Sequence, residues 1–192
     1  MTDETTFPRL VSLACHDLRT PLATVYGFAR TIARAEGLDP KLAGYAEMIE
    51  TASQQLAELV DELSLAARIE GGRYEPGLLP VSTVELAEAA ASRLGAERVA
   101  VSGSGGTVQA DGEAARSVAA LVQCALRHGG LEEVAVGADG AELRVTPITP
   151  ASAPVVLGED LRDLGAAVAV LHLRTIGCTV ALDGETLTLR FG

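Results

Sequence analysis

A chain of 192 residues with 48% hydrophobic composition has enough apolar material for one ordinary core or two small ones, which excludes general disorder. A formal net charge of −11 repels phosphate backbones and anionic lipid surfaces, so neither nucleic acid nor a membrane is expected as a partner. Aromatic residues are 3% and Trp is absent, leaving Leu, Val, Ile and Ala to build the interior.

Residues 7–70 read as two long helices. In the first, Phe7, Val11, Ala14, Leu18, Pro21, Val25, Phe28 and Ile32 follow at steps of four and three, a heptad seam. Gly37 ends it, and Asp39-Pro40 supplies an N-cap and a first-turn proline for the next helix. There Leu42, Tyr45, Ile49, Ala52, Leu56, Leu59, Leu63 and Ala66 repeat the rhythm up to Gly71-Gly72. Each helix is about 45 Å long at its rise per residue. Leu22, Ala29, Ala46 and Val60 widen the stripe beyond a two-helix seam, so two hairpins are expected to pair as a homodimeric four-helix bundle.

After the glycines the rhythm changes. The run GGRYEPGLLP reads as a linker, followed by a helix near 84–94, a strand at 99–102 and a helix near 113–128. Two strand pairs turn on Asp-Gly, in VAVGADGAELRV and TVALDGETLTLRF. Between them stand a proline-bearing loop, 146–154, and a helix from about 160 to 176. The expected fold is therefore α plus α/β: a helical hairpin over residues 1–72, a linker over 73–80, and an α/β sandwich with helices on one sheet face over 81–192. VSGSGGT lacks a Lys-Ser/Thr and precedes a strand-like run, so it reads as a strand connection and not a phosphate loop.

Cys15, Cys124 and Cys178 stand far apart with no CxxC pair, which predicts reduced, buried thiols and neither a disulfide framework nor a zinc site. No stretch approaches the roughly 18 apolar residues of a membrane span. The start MTDETTF is too acidic and polar for a signal peptide, so a cytoplasmic protein is expected.

Chemistry concentrates in CHDLRTPL, residues 15–22. At 100° per residue His16 lies about 160° from Leu18 and points away from the seam, with Arg19, Thr20 and Asp17 about 60°, 40° and 100° from it. Pro21 withholds an N–H from the Asp17 carbonyl, a cost of roughly 3 kcal/mol that seam burial can offset. HDLRTPL at the start of a long hairpin resembles the H-box of the dimerisation and histidine-phosphotransfer domain of two-component sensor histidine kinases. The resemblance implies that His16 is the phosphoacceptor, Asp17 its acid/base partner, and Thr20 a hydroxyl that orients water in dephosphorylation. Arg19 and Pro21 would then belong to the partner-binding surface, and the partner would be a response-regulator receiver domain carrying its own Mg2+.

The second half resembles, in element order, the family's Bergerat-type ATP-binding domain. The positions that should hold nucleotide depart from it. CALRH stands where the family has an N-box, with Cys124 in place of the asparagine that helps hold Mg2+. Pro147 stands near the adenine-binding aspartate, and DLGAAVAV keeps Gly165 but has Ala167 in place of a second glycine. Arg127 and His128 read as capping or salt-bridge residues, and His172 as a structural histidine on an apolar helix face. The sequence thus points to a histidine phosphotransferase that binds no ATP, needs no cofactor of its own and contains no metal ligands. Its layout, with a hairpin starting near residue 7 and no room for a sensor, resembles that of stand-alone phosphotransferases. Two other readings stand beside it: a pseudokinase binding module or response-regulator phosphatase, and a divergent ATP-dependent sensor kinase.

Overall fold

The structure is a computed structural model that describes residues 6–35 and 37–192. The chain divides into two compact units, one ending at Arg73 and one running Tyr74–Gly192.

The first unit is a hairpin of α1 (Thr6–Ala33) and α2 (Pro40–Glu70). Asp39 caps α2 by accepting the Lys41 backbone N–H at 2.8 Å, with Pro40 in the first turn. Helix α1 runs through Pro21 without a break. The face joining the two helices differs from the expected seam. Cys15 and Ala29 of α1, and Ala46, Ser53, Val60, Leu65 and Ala67 of α2, are the buried residues. Ala46, Ser53, Val60 and Ala67 recur every seven positions and are small or medium in size, which lets the helix backbones approach closely. The predicted seam stays outside: Phe7 is 75% exposed, Phe28 67%, Leu18 53% and Leu56 52%. The residues that seemed only to widen the stripe are the contact, and the larger ones form an uncovered apolar face.

The second unit begins with a short strand the sequence reading placed in a linker. β1 (Leu79–Ser82) pairs antiparallel with β3 (Thr107–Ala110) as a separate two-stranded sheet. Between them come α3 (Thr83–Leu94), closed by a capping box of Ser82 and Glu85, and β2 (Val99–Gly105). Helix α4 (Ala114–Gly129) leads to β4 (Val134–Asp139) and β5 (Glu142–Thr146), the first Asp-Gly hairpin. The proline-bearing loop contains one turn of helix, α5 (Ala153–Val156). Helix α6 (Leu164–Thr175) starts later than expected because Asp163 is its N-cap, and β6 (Thr179–Asp183) and β7 (Thr186–Arg190) form the second hairpin.

Five strands make one sheet in the order β2-β4-β5-β7-β6, parallel between β2 and β4 and antiparallel elsewhere. Val134, Val136, Leu143, Val145, Leu187 and Leu189 alternate into the core against Leu121, Val122, Ala125, Ala169 and Leu173 from α4 and α6. The glycines of VSGSGG serve strand contact: Gly103 has φ +98, and a Cβ there would lie 2.0 Å from the Ala138 carbonyl oxygen.

Candidate functional site

His16 sits in the middle of α1 with 78% of its side chain exposed. Its Nδ1 lies 3.1 Å from Asp17 Oδ1. With Nδ1 protonated and held by the carboxylate, Nε2 keeps its lone pair and faces solvent, the tautomer a nucleophile requires. The sequence achieves this by placing buried Cys15 immediately before it, which fixes the helix face turned inward. Thr20 and Pro21 are exposed on the following turn. Arg19 is tied across the hairpin, donating from Nη2 to Asp61 Oδ1 at 2.9 Å and from Nε at 3.2 Å. Nothing in sequence signals that partner 42 residues away. Arg19, Leu22, Tyr26, Ser53, Ala57 and Asp61 line a shallow groove of about 420 Å3, which starts one turn beyond His16.

In the second unit, the three positions that depart from the nucleotide pattern are distributed as follows. Pro147 follows β5 and is half-buried; Ala167 lies half-buried in the first turn of α6; Cys124 is fully buried in α4. Burial, with the nearby Asp163 charge adding to it, pushes the Cys124 thiol up to about 12. His128, one turn after Cys124, brings Nε2 to 2.9 Å from Asp163 Oδ2, and Arg127 Nη2 reaches the same oxygen at 2.5 Å. Asp163 Oδ1 accepts the Ala166 N–H at 3.1 Å. Burial raises the Asp163 pKa, but the Ala166, His128 and Arg127 hydrogen bonds outweigh it and leave the carboxyl below its usual range. The salt-bridge role read for Arg127 and His128 is what the structure shows.

The sequence reading found no metal ligands, yet Cys124, His128 and Asp163 offer donor atoms within 4.8 Å of one another. The signal was available in part: Cys and His four residues apart share one helix face. Asp163, remote in sequence, gave no such sign.

His172 is fully buried, as expected of a structural histidine. Its Nδ1 is 2.8 Å from Ser117 Oγ and its Nε2 is 3.0 Å from Asp111 Oδ1, while the Tyr74 hydroxyl donates to Asp111. Burial acts to raise the Asp111 pKa, but these hydrogen bonds and the His172 charge carry it below the usual carboxylate value. The Ser-His-Asp set has no open face for a substrate and joins α4 to α6. Cys15, Cys124 and Cys178 are free and buried. Among the described residues, no helix is long and apolar enough to cross a membrane.

These features match known proteins. Residues 9–72, the hairpin, match the His Kinase A (phospho-acceptor) domain family. The probable sensor histidine kinase TcrY of Mycobacterium tuberculosis is 36% identical over 71 residues, 36% of this chain and 15% of the relative. The fold is similar to that of full-length ShkA, solved in complex with AMPPNP (TM-score 0.68, 22% identity), across 96% of this chain and 45% of that one. It is also similar to the Acinetobacter baumannii histidine kinase AdeS (TM-score 0.57, 16% identity), covering 92% of this chain and 97% of that one. The hairpin thus matches a phospho-acceptor domain family, and the chain as a whole, two long helices followed by a mixed α/β unit, has a fold similar to that of solved histidine kinase structures. It spans less than half the length of TcrY and ShkA.

Proposed function

We propose that this chain is a histidine phosphotransfer protein of two-component signalling, which exchanges a phosphoryl group between His16 and receiver aspartates without using ATP. The supporting observation is the 78% exposed imidazole, its Nδ1 against Asp17, on a hairpin that matches a phospho-acceptor domain. His16 Nε2 attacks the phosphorus of a receiver aspartyl phosphate; the P–N bond forms as the acyl P–O bond breaks. The carboxylate stays on the receiver, and the imidazolium proton on Nδ1 is shared with Asp17. Phosphoryl transfer depends mainly on positioning and charge neutralisation, and the receiver brings the Mg2+. Pairing of two hairpins through the outer apolar face would complete a four-helix bundle, with the groove beside Arg19 available to the receiver. Loss of ATP use is supported by a buried, protonated Cys124 thiol in the N-box and by Pro147 and Ala167 at the other two positions.

Similarity to a protein solved with AMPPNP favours a second reading, a divergent ATP-dependent kinase. Labelled ATP with Mg2+ separates the two: no label on His16 is expected, and label there overturns the ATP-independent reading. A response-regulator phosphatase or binding module would depend on exposed Thr20 more than on His16. In a receiver dephosphorylation assay, His16→Ala is expected to abolish activity and Thr20→Ala to leave transfer to the histidine intact; the reverse order supports the phosphatase.

A further inference from the structure

The Cys124, His128 and Asp163 donor atoms lie within 4.8 Å of one another, the one such group among the described residues. Helix α4 sets the thiol and imidazole one turn apart on a shared face, and the N-cap of α6 brings the carboxylate to meet them. We propose that these three side chains bind a borderline-soft divalent cation, Zn2+ by preference, leaving a fourth position open to water or an anion.

The donor set selects the metal. A sulfur, an imidazole nitrogen and one carboxylate oxygen match zinc, whereas Mg2+ demands oxygen ligands. Charge also fits: thiolate and carboxylate together cancel a dication. On binding, the Cys124 S–H bond breaks, an S–Zn bond forms and the proton leaves to buffer. Asp163 can ligate through Oδ2 while Oδ1 keeps its hydrogen bond to the Ala166 N–H, so helix α6 retains its cap. Arg127 holds Oδ2 in the metal-free state, and its side chain is 60% exposed, so it can turn out to solvent. His128, 20% exposed at the surface of the cluster, marks the path of entry.

The test is a titration of the reduced, chelator-treated full chain with Co2+, read by absorbance. One equivalent is expected to produce a thiolate-to-cobalt charge-transfer band with visible bands of a four-coordinate ion, both removed by Zn2+. Cys124→Ala should abolish the charge-transfer band, and Cys178→Ala and Cys15→Ala should leave it. His128→Gln and Asp163→Asn should weaken binding by more than about tenfold, the lower end of the loss seen even for outer-shell changes. Absence of the band at saturation, its survival in Cys124→Ala, or unchanged affinity in His128→Gln overturns the proposal. His128, partly exposed at the edge of the cluster, keeps the test decisive should Cys124→Ala fail to fold. No phosphotransfer enters the readout, so this result and the reading of His16 stand or fall separately.

Discussion

His16 keeps 78% of its side chain in solvent while Cys15, the residue before it, is 2% exposed. The spacing turned the imidazole away from the stripe of Leu18, which itself stays exposed; the outward direction held because the inward face is that of Cys15, about 100° round the helix. The Asp17 contact is local, and a place for Asp17 beside the imidazole was implied by the resemblance to the H-box. Asp163 was not legible: its partners lie 35 and 36 residues away, and only the fold brings α4 against the start of α6. Its carboxyl is held below the usual range, so its contribution is complete above the unfolded pKa near about 4 and is lost as pH falls through the lower folded value. Asp111 acts in the same direction. Asp163→Asn keeps the capping oxygen but loses the charged partner of Arg127 and His128. It should cost about 1–3 kcal/mol at neutral pH and less in acid, a convergence that thermal melts across that range would detect. An equal deficit at every pH would contradict the assignment.

At the scale of elements, helix and hairpin existence followed from periodicity, caps and Asp-Gly turns, because these signals are written locally. Asp39-Pro40 and the two turns lie where the pattern put them. The choice between two adjacent heptad stripes did not follow, since both are apolar. Size decides it: Ala46, Ser53, Val60 and Ala67 allow close packing, and the bulkier Leu, Ile and Phe are left outside. β1 escaped notice because Leu79–Ser82 is short, contains Pro80 and pairs only at an edge with β3. Burying each exposed leucine stabilises an assembly by about 1.5–3 kcal/mol, and Leu18, Leu56, Leu59 and Leu63 all wait for such cover. Leu56→Glu is therefore expected to convert a dimer to a monomer in sedimentation, whereas Arg19→Ala, which breaks a half-exposed ion pair of at most about 1 kcal/mol, should not. A wild-type chain that sediments as a monomer would contradict the paired hairpin.

For the whole molecule, the two units carry different chemistry in their side chains. The hairpin retains every position of HDLRTPL, with its histidine presented to solvent. The α/β unit retains a packed core, and among its described residues no buried side-chain nitrogen or oxygen lacks a partner, so its fold is well satisfied. Cys124, Pro147 and Ala167, where the sequence departs from the resembled nucleotide pattern, stand in α4, after β5 and in the first turn of α6 of this unit. A fold kept while a ligand site changes is expected when stability rests on the core and function on a few surface groups. HDLRTPL and the departures at Cys124, Pro147 and Ala167 were legible in the sequence because each is a short, local run. The metal-compatible cluster remained hidden because it is assembled by tertiary contact.

The most direct measurement of the central claim charges receiver domains with labelled phosphate from a small-molecule donor and incubates them with the full chain in the absence of ATP. The account predicts acid-labile label on the chain, present in the wild type and absent in His16→Ala. Label that persists in His16→Ala, or receivers that never exchange phosphate with the wild-type chain, would contradict it.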